Sequence, residues 1–331
     1  MNKRSASSPP IDLETAATRT ANQSTRNRFT LRQLEAFVEI ARLGSASAAA
    51  SSLSRTQSAI SMAMQELESA LDCALFERHG RRLVRTKAAE TLLPKAIEMV
   101  ARASEIADLV SGDAQPRAQL TLGASRTVGP FVMPDLISLC CDQIPGLQVH
   151  LTVVNSEELI RRIHGFELDC AFIEGDVLDP TLEKTAWLDD ELCVIARYGH
   201  PIFKSRKSLE QRLADSAWVL REPGSGSRES FLRAIVPMIP QPTVALELDD
   251  PEAQKRCIRN SNWLSCISRR AIQDELDNGE LCEVPGLSAD LKKALSRRFW
   301  IVTHRERFQT DALRQVMEIA MQMKRTINQV H

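Results

Sequence analysis

Residues able to trade hydrogen bonds with a ligand gather in two stretches of this 331-residue chain. In the first, Gln57, Ser58, Ser61 and Gln65 share one face of a helical pattern, with Met62 among them. Amide and hydroxyl groups in such a row match the donors and acceptors on base edges, and a glutamine can pair bidentately with adenine. Arg55 and Thr56 stand just before the row, where the nucleic-acid backbone would pass. Arg78, Arg81, Arg82 and Arg85 then flank a turn at His79-Gly80. Arginines there suit phosphate contact or minor-groove insertion; a solvated charged hairpin is the plainer alternative.

The second stretch is Glu222-Pro223-Gly224-Ser225-Gly226-Ser227-Arg228. Its glycines let backbone approach a ligand, and a helix beginning there would turn N–H groups toward an anion. Ser225, Ser227 and Arg228 add donors. The loop lacks the Gly-Lys-Ser/Thr of a nucleotide-binding P-loop and the G-x-S-x-G frame of a nucleophile elbow. A helix cap at Ser225 or Ser227 without ligand is the alternative. Ser125, Arg126 and Thr127 form a second donor group, and Asn155-Ser156 a third.

Other chemistry finds little support. The six histidines show no metal-ligand spacing, and none of the eight cysteines forms a C-x-x-C pair. Cys257 and Cys266 have no evident thiolate-activating neighbours. Asp189-Asp190 and Asp249-Asp250 read as turn or cap residues rather than paired catalytic acids. No nucleophile, base or metal constellation supports an enzyme, and no cofactor or metal is expected.

The elements that must hold these groups follow from composition and period. At 331 residues with net charge −1 the chain holds about two domains and is no polycation. No run reaches the ~18 apolar residues of a membrane span, and no signal peptide opens the chain. A cytoplasmic, thiol-reduced protein is expected. Residues 1–28 read as a disordered tail. Segment 29–87 is net basic, whereas the remainder is net acidic. Leu34, Phe37, Val38 and Ala41 mark one helix face, which Gly44 ends. Ala48, Ala49 and Leu53 mark a short second helix, and Ile60, Ala63, Met64 and Leu67 a third. Two small helices joined by a short turn make a helix-turn-helix, here followed by an arginine-bearing hairpin. Residues 88–112 read as a linker helix whose apolar stripe needs a partner, most simply the same helix of a second subunit. Pro94 predicts a break or kink near residue 90. From residue 113 onward, strands such as Leu120–Ala124, Val149–Val154 and Asp169–Glu174 alternate with helices, which implies open α/β sheets.

The head resembles the LysR-type transcriptional regulators in several phrases. They are Leu31-Arg32-Gln33-Leu34-Glu35-Ala36-Phe37, Gly44-Ser45, Thr56-Gln57-Ser58-Ala59-Ile60-Ser61, Leu75-Phe76-Glu77-Arg78 and Thr86. It departs from the usual pattern at Ala46, Ser58 and Ala89. The phrase Trp218 to Arg228 is similar to members linked to sulfur metabolism or carbon fixation. The resemblance implies an α/β multidomain chain: an all-α winged helix-turn-helix head, a linker helix, and a two-lobed effector domain like a periplasmic binding protein. Lobe I would span about 118–190 and 297–325, and lobe II about 191–296. It implies double-stranded DNA, a small effector, a homodimer or homotetramer and RNA polymerase as partners. Carried over by position, it nominates Ser125, Thr127, Ser156, Ser225 and Ser227 as lining the cleft between lobes. Their donors, with no nearby acid except Glu222, point to an anionic effector. An enzyme or a passive binding module on the same fold is the alternative.

Overall fold

The structure, a computed structural model, describes residues 28–80, 82–110, 118–175 and 177–330. The expected tail, apart from Arg28, and the wing residue Arg81 lie outside the described residues. The chain divides into two compact units between Val100 and Ala101.

The first unit opens with three helices, α1 (Leu31–Leu43), α2 (Ala46–Ser52) and α3 (Gln57–Leu71). Each starts on a hydroxyl cap: Thr30, Ser45 and Thr56 accept from Gln33, Ala48 and Ala59 backbone N–H groups. Thr30 and Gln33 complete a reciprocal capping box. Gly44 ends α1 at φ +65°, the left-handed conformation glycine takes without penalty. Leu34, Phe37, Ile40, Ala49, Ile60, Met64 and Leu67 are buried between the three helices, as the period-3.6 pattern requires. The hairpin pairs β1 (Phe76–His79) with β2 (Arg82–Arg85) in antiparallel register, His79 opposite Arg82. It is fastened to the helices at both strands. Glu68 accepts from the N–H groups of Leu75 and Phe76, Leu83 N–H donates to the Gly44 carbonyl, and Phe76 packs on Phe37.

Helix α4 (Lys87–Val110) carries the chain onward, its first turn capped by Thr86 Oγ1 accepting from Ala89 N–H at 3.3 Å. Of the break or kink expected near residue 90, the break does not occur; the helix runs through Pro94. A proline forfeits one N–H bond, and burial of Leu93, Pro94 and Ala96 holds this stretch in place. The stripe is therefore not wholly without a core inside one chain. Its distal part, Met99 and Ile106, stays 49% and 63% exposed.

The second unit is a single long sheet with buried hydrophobic clusters in both lobes. Lobe I holds β3 (Gln119–Ala124), β4 (Gln148–Val153) and β5 (Cys170–Glu174). They are parallel, with α5 (Val128–Phe131), α6 (Met133–Gln143) and α7 (Ser156–His164) between them. Lobe II holds β7 (Ala217–Arg221), β8 (Thr243–Leu248) and β9 (Leu264–Ser268). Strand β7 is parallel to both others, with α9 (Gly226–Ile235) and α10 (Pro251–Arg259) between them, after the short α8 (Leu209–Ala214). Two long strands pass between the lobes: β6 (Leu182–Arg197) and, after α11 (Arg269–Asp277), β10 (Leu281–Glu283) and α12 (Ala289–Leu295), strand β11 (Ser296–His304). They pair antiparallel, and the order reads β4-β3-β5-β11-β6-β9-β7-β8, with β10 beside β6. Helix α13 (Asp311–Val330) returns to lobe I, where Leu313, Val316, Ile319 and Ala320 join its core.

Candidate functional site

In the first unit the polar row expected to meet bases lies on the outer side of α3. Gln57, Ser58 and Gln65 are exposed, Ser61 is half-buried, and Met62 is 58% exposed. Thr56 is spent locally, capping α3 and bonding to Ser58 Oγ at 3.1 Å. Arg55 is drawn back to Glu35, 3.0 Å away, so its charge is partly committed within the unit. On the wing, Arg78 and Arg82 are exposed and have no carboxylate partner among the described residues. Met62 adds an apolar tip beside the polar row, of the kind that packs on a thymine methyl.

In the second unit the donor groups converge where the strands end. Ser125 follows β3, Ser156 opens α7, and Ser225 and Ser227 open α9; all are buried, as is Thr127. Ser125 Oγ accepts from Val128 N–H at 3.1 Å, and Ser156 Oγ donates to the Glu174 carbonyl at 3.3 Å. Thr127 Oγ1 and Ser227 Oγ lie 3.3 Å apart and each reaches Glu174 Oε1 at 3.4 Å. Ser225 occupies the cap position of α9, yet its hydroxyl makes no capping bond and is left buried without a partner among the described residues. Glu174 Oε2 is orphaned in the same way. A buried polar atom without a partner is costly unless something fills the gap.

The acid is the group that sequence reasoning missed. Glu222, the acid expected near the donors, instead forms a bidentate pair with Arg221, at 2.8 and 3.0 Å. Glu174 takes its place, 2% exposed at the carboxyl end of a wholly buried strand. Position at a strand's carboxyl end in an open sheet was the available signal. Behind it stands Arg297, also missed. Its Nε donates to Asp190 at 2.7 Å and its Nη1 to Ser227 at 2.9 Å, while Asp190 accepts from Ser268 at 2.6 Å. Asp189 and Asp190 are therefore strand residues facing arginines of β11, not turn or cap residues. Asp250 does cap α10, as expected.

The two loop arginines turn away from this cluster. Arg126 pairs with Asp249 at 2.9 Å, and Arg228 with Glu247 at 2.6 Å. Gly224 adopts φ +80°, and a Cβ there would lie 2.4 Å from the Glu157 carboxylate. At Gly226 a Cβ would lie 2.4 Å from the Glu174 carbonyl oxygen. These glycines let lobe II rest against lobe I, with Glu157 N–H donating to the Gly224 carbonyl at 3.3 Å.

Burial pushes the Cys140 thiol up to about 11 and Cys193 up to about 12, which keeps both as packing groups. Among the described residues no group of three or more His, Cys, Asp or Glu side chains could hold a metal ion. No helix there is long and apolar enough to cross a membrane.

Residues 31–90 match the bacterial regulatory helix-turn-helix protein, lysR family, and residues 113–325 match the LysR substrate binding domain. The HTH-type transcriptional regulator YeiE of Escherichia coli K12 is 36% identical over 290 residues, covering 88% of this chain and 96% of that protein. The RuBisCO operon transcriptional regulator of Allochromatium vinosum is 29% identical over 278 residues, covering 83% and 89%. A full-length OxyR variant from Pseudomonas aeruginosa superposes with a TM-score of 0.68 at 20% identity, covering 90% of this chain and 98% of that one, a likeness of fold. These relatives are transcriptional regulators rather than enzymes. With a helix-turn-helix head and an effector-binding domain both matched, the chain belongs to the LysR family of transcriptional regulators.

Proposed function

We propose that Gln57, Ser58, Ser61 and Gln65 read base edges in a major groove while Arg78, Arg81 and Arg82 hold phosphates. The exposed row on α3 and the exposed Arg78 and Arg82 of the wing support this reading. Arg55 and Thr56 contribute less than their position implies, because both are already engaged. Gln57→Ala should weaken binding to an operator duplex by ~1–3 kcal/mol and leave a scrambled duplex almost unaffected. Arg82→Ala should weaken both and flatten the salt dependence by about one unit of log–log slope. Gel-shift titrations across salt concentrations separate the two; equal losses on both duplexes for Gln57→Ala would remove it from base readout.

Two copies joined through α4 would cover the exposed Met99 and Ile106 and set two heads at a fixed spacing. Sedimentation of the full chain at the mass of one copy would refute this.

The effector proposed for the cleft is a small oxyanion or carboxylate that also has a hydrogen to donate. Backbone N–H groups at the starts of α7 and α9 favour its negative charge. The orphaned Glu174 Oε2 carries the second half of the reading, because a buried carboxyl oxygen without a partner calls for a donor. An anion with no hydrogen would leave that oxygen unserved; a hydrogen-bearing one would be held at both ends. Ser125, Arg126, Thr127, Ser156, Gly224, Ser225, Ser227 and Arg228 were the expected contacts. Within this set Arg126, paired across to Asp249, and Gly224 act in closing the lobes, Arg228 stays within lobe II on Glu247, and the hydroxyls hold the ligand. Effector binding shifts a balance of lobe arrangements and thereby the heads.

The test is thermal stabilisation of the full chain by bicarbonate, hydrogen phosphate and glycolate against nitrate and perchlorate. Hydrogen-bearing anions should stabilise and the others should not. Thr127→Val should cost about fivefold in affinity for the best of them, the worth of one hydrogen bond. Glu174→Gln, which can donate as well as accept, should let the hydrogen-free anions in. Equal stabilisation by nitrate in the parent protein would sink this assignment.

A further inference from the structure

A cavity of about 930 Å³ opens where the lobes join, walled by β6, β11, the start of α11, and Phe131 of α5. Its size is that of a small-molecule site, which typically spans ~300–1,000 Å³. None of the cleft hydroxyls lines it. What it shares with the effector cluster is the Arg297–Asp190 pair, which stands in its wall.

The arginines of that wall are not all paired with acids. Four arginines face three acids. Arg269 pairs with Glu191 at 3.1 Å and, beyond the wall, with Glu283 at 2.8 Å; Arg298 pairs with Asp189 at 2.7 Å and Arg297 with Asp190 at 2.7 Å. Arg270 is left over: it donates to the Asp189 carbonyl at 3.2 Å and has no carboxylate partner among the described residues. Arg297 is incompletely used as well. Its side chain is 5% exposed, and its Nη2 has no acceptor among the described residues. A buried guanidinium nitrogen without an acceptor costs stability, and it marks a place where an acceptor is wanted.

We propose that this cavity is a second ligand site, for an organic diacid whose two carboxylates engage Arg270 and Arg297. Guanidinium groups are suited to carboxylates because they present paired N–H donors in a plane. A monoacid leaves one arginine unserved, and a neutral diamide replaces charge-assisted bonds with weaker ones. Because Arg297 also donates to Ser227, a diacid that fixes its guanidinium would reach the effector cleft through a single side chain. The site stands on its own residues, so its failure would leave the effector reading intact.

The experiment is calorimetric titration of the full-length protein with succinate, glutarate and adipate, each beside its diamide and the monoacid of equal length. One chain length should bind saturably, and the diamide and monoacid should bind at least about tenfold more weakly. Arg270→Gln, a change at a half-exposed side chain, should cost that diacid about tenfold, and Arg270→Lys should restore part of it. Thr127→Val should leave it unchanged. Binding lost in Thr127→Val but kept in Arg270→Gln would put the diacid in the effector cleft and overturn the proposal. Absence of saturable binding by all three diacids would overturn it too.

Discussion

Arg297→Met is expected to destabilise the second unit by ~3–5 kcal/mol, because it strands a charge in the interior. The Asp190 side chain is 0% exposed and Arg297 is its one cationic partner among the described residues; Ser268 alone would remain to it. Methionine keeps most of the volume, so the loss reports charge rather than a cavity. Arg298→Met is the matched control, one residue along the same strand. Its pair with Asp189 is 47% and 62% exposed, and removing it should cost under ~1 kcal/mol. Urea unfolding should show a lower midpoint at unchanged slope for Arg297→Met alone. Asp190→Asn added to it should recover part of the loss. Equal midpoints for the two arginine variants would show that burial of the pair has no energetic weight.

Gly226→Ala should be the most disruptive change to the switch itself. The added methyl would sit 2.4 Å from the Glu174 carbonyl oxygen and 2.8 Å from its Cγ, and neither belongs to a freely moving side-chain end. Overpacking of this kind costs ~1–3 kcal/mol. The cost falls on contact between the lobes rather than on either core, since Gly226 belongs to α9 and Glu174 to β5. Affinity for the stabilising oxyanion should therefore drop about tenfold or more, while DNA binding without effector changes little. Gly224→Ala is a weaker perturbation in packing, because its nearest obstacle is the end of the Glu157 side chain, although its φ of +80° adds strain. Anion titrations on both variants test this, and a Gly226→Ala protein that binds like its parent would disprove the packing argument.

The head was legible because its signals are local. Caps, the αL glycine and period-3.6 apolar residues all act within a few positions, and Leu34, Phe37, Ile60 and Leu67 are buried where that period places them. The hairpin turn was equally local. The second unit was readable as alternating strands and helices, yet its longest strands were not. The length of β6, Leu182–Arg197, depends on partners far off in sequence: β11 pairs with Leu182 to Glu191 from more than a hundred residues away, and β9 and β10 pair with the remainder. Distance in sequence also hid the roles of two acids. Asp190 meets Arg297 107 residues later, and Glu174 meets Ser227 53 residues later. Neither partner leaves a trace beside the acid in the sequence. Pro94 misled for the opposite reason: a local rule was outweighed by the burial of the segment around it.

The path of the chain through the two lobes bears on how a message leaves the domain. Helix α4 leads toward β3 of lobe I, and α13, the last helix, packs in lobe I as well. Lobe II is thus a guest within lobe I, entered along β6 and left along β11. Whatever lobe II learns from a ligand has one covalent exit, the two-stranded ribbon where Arg297 faces Asp190. Lobe I is the half wired to the rest of the protein, and lobe II is free to diversify its chemistry without disturbing that wiring.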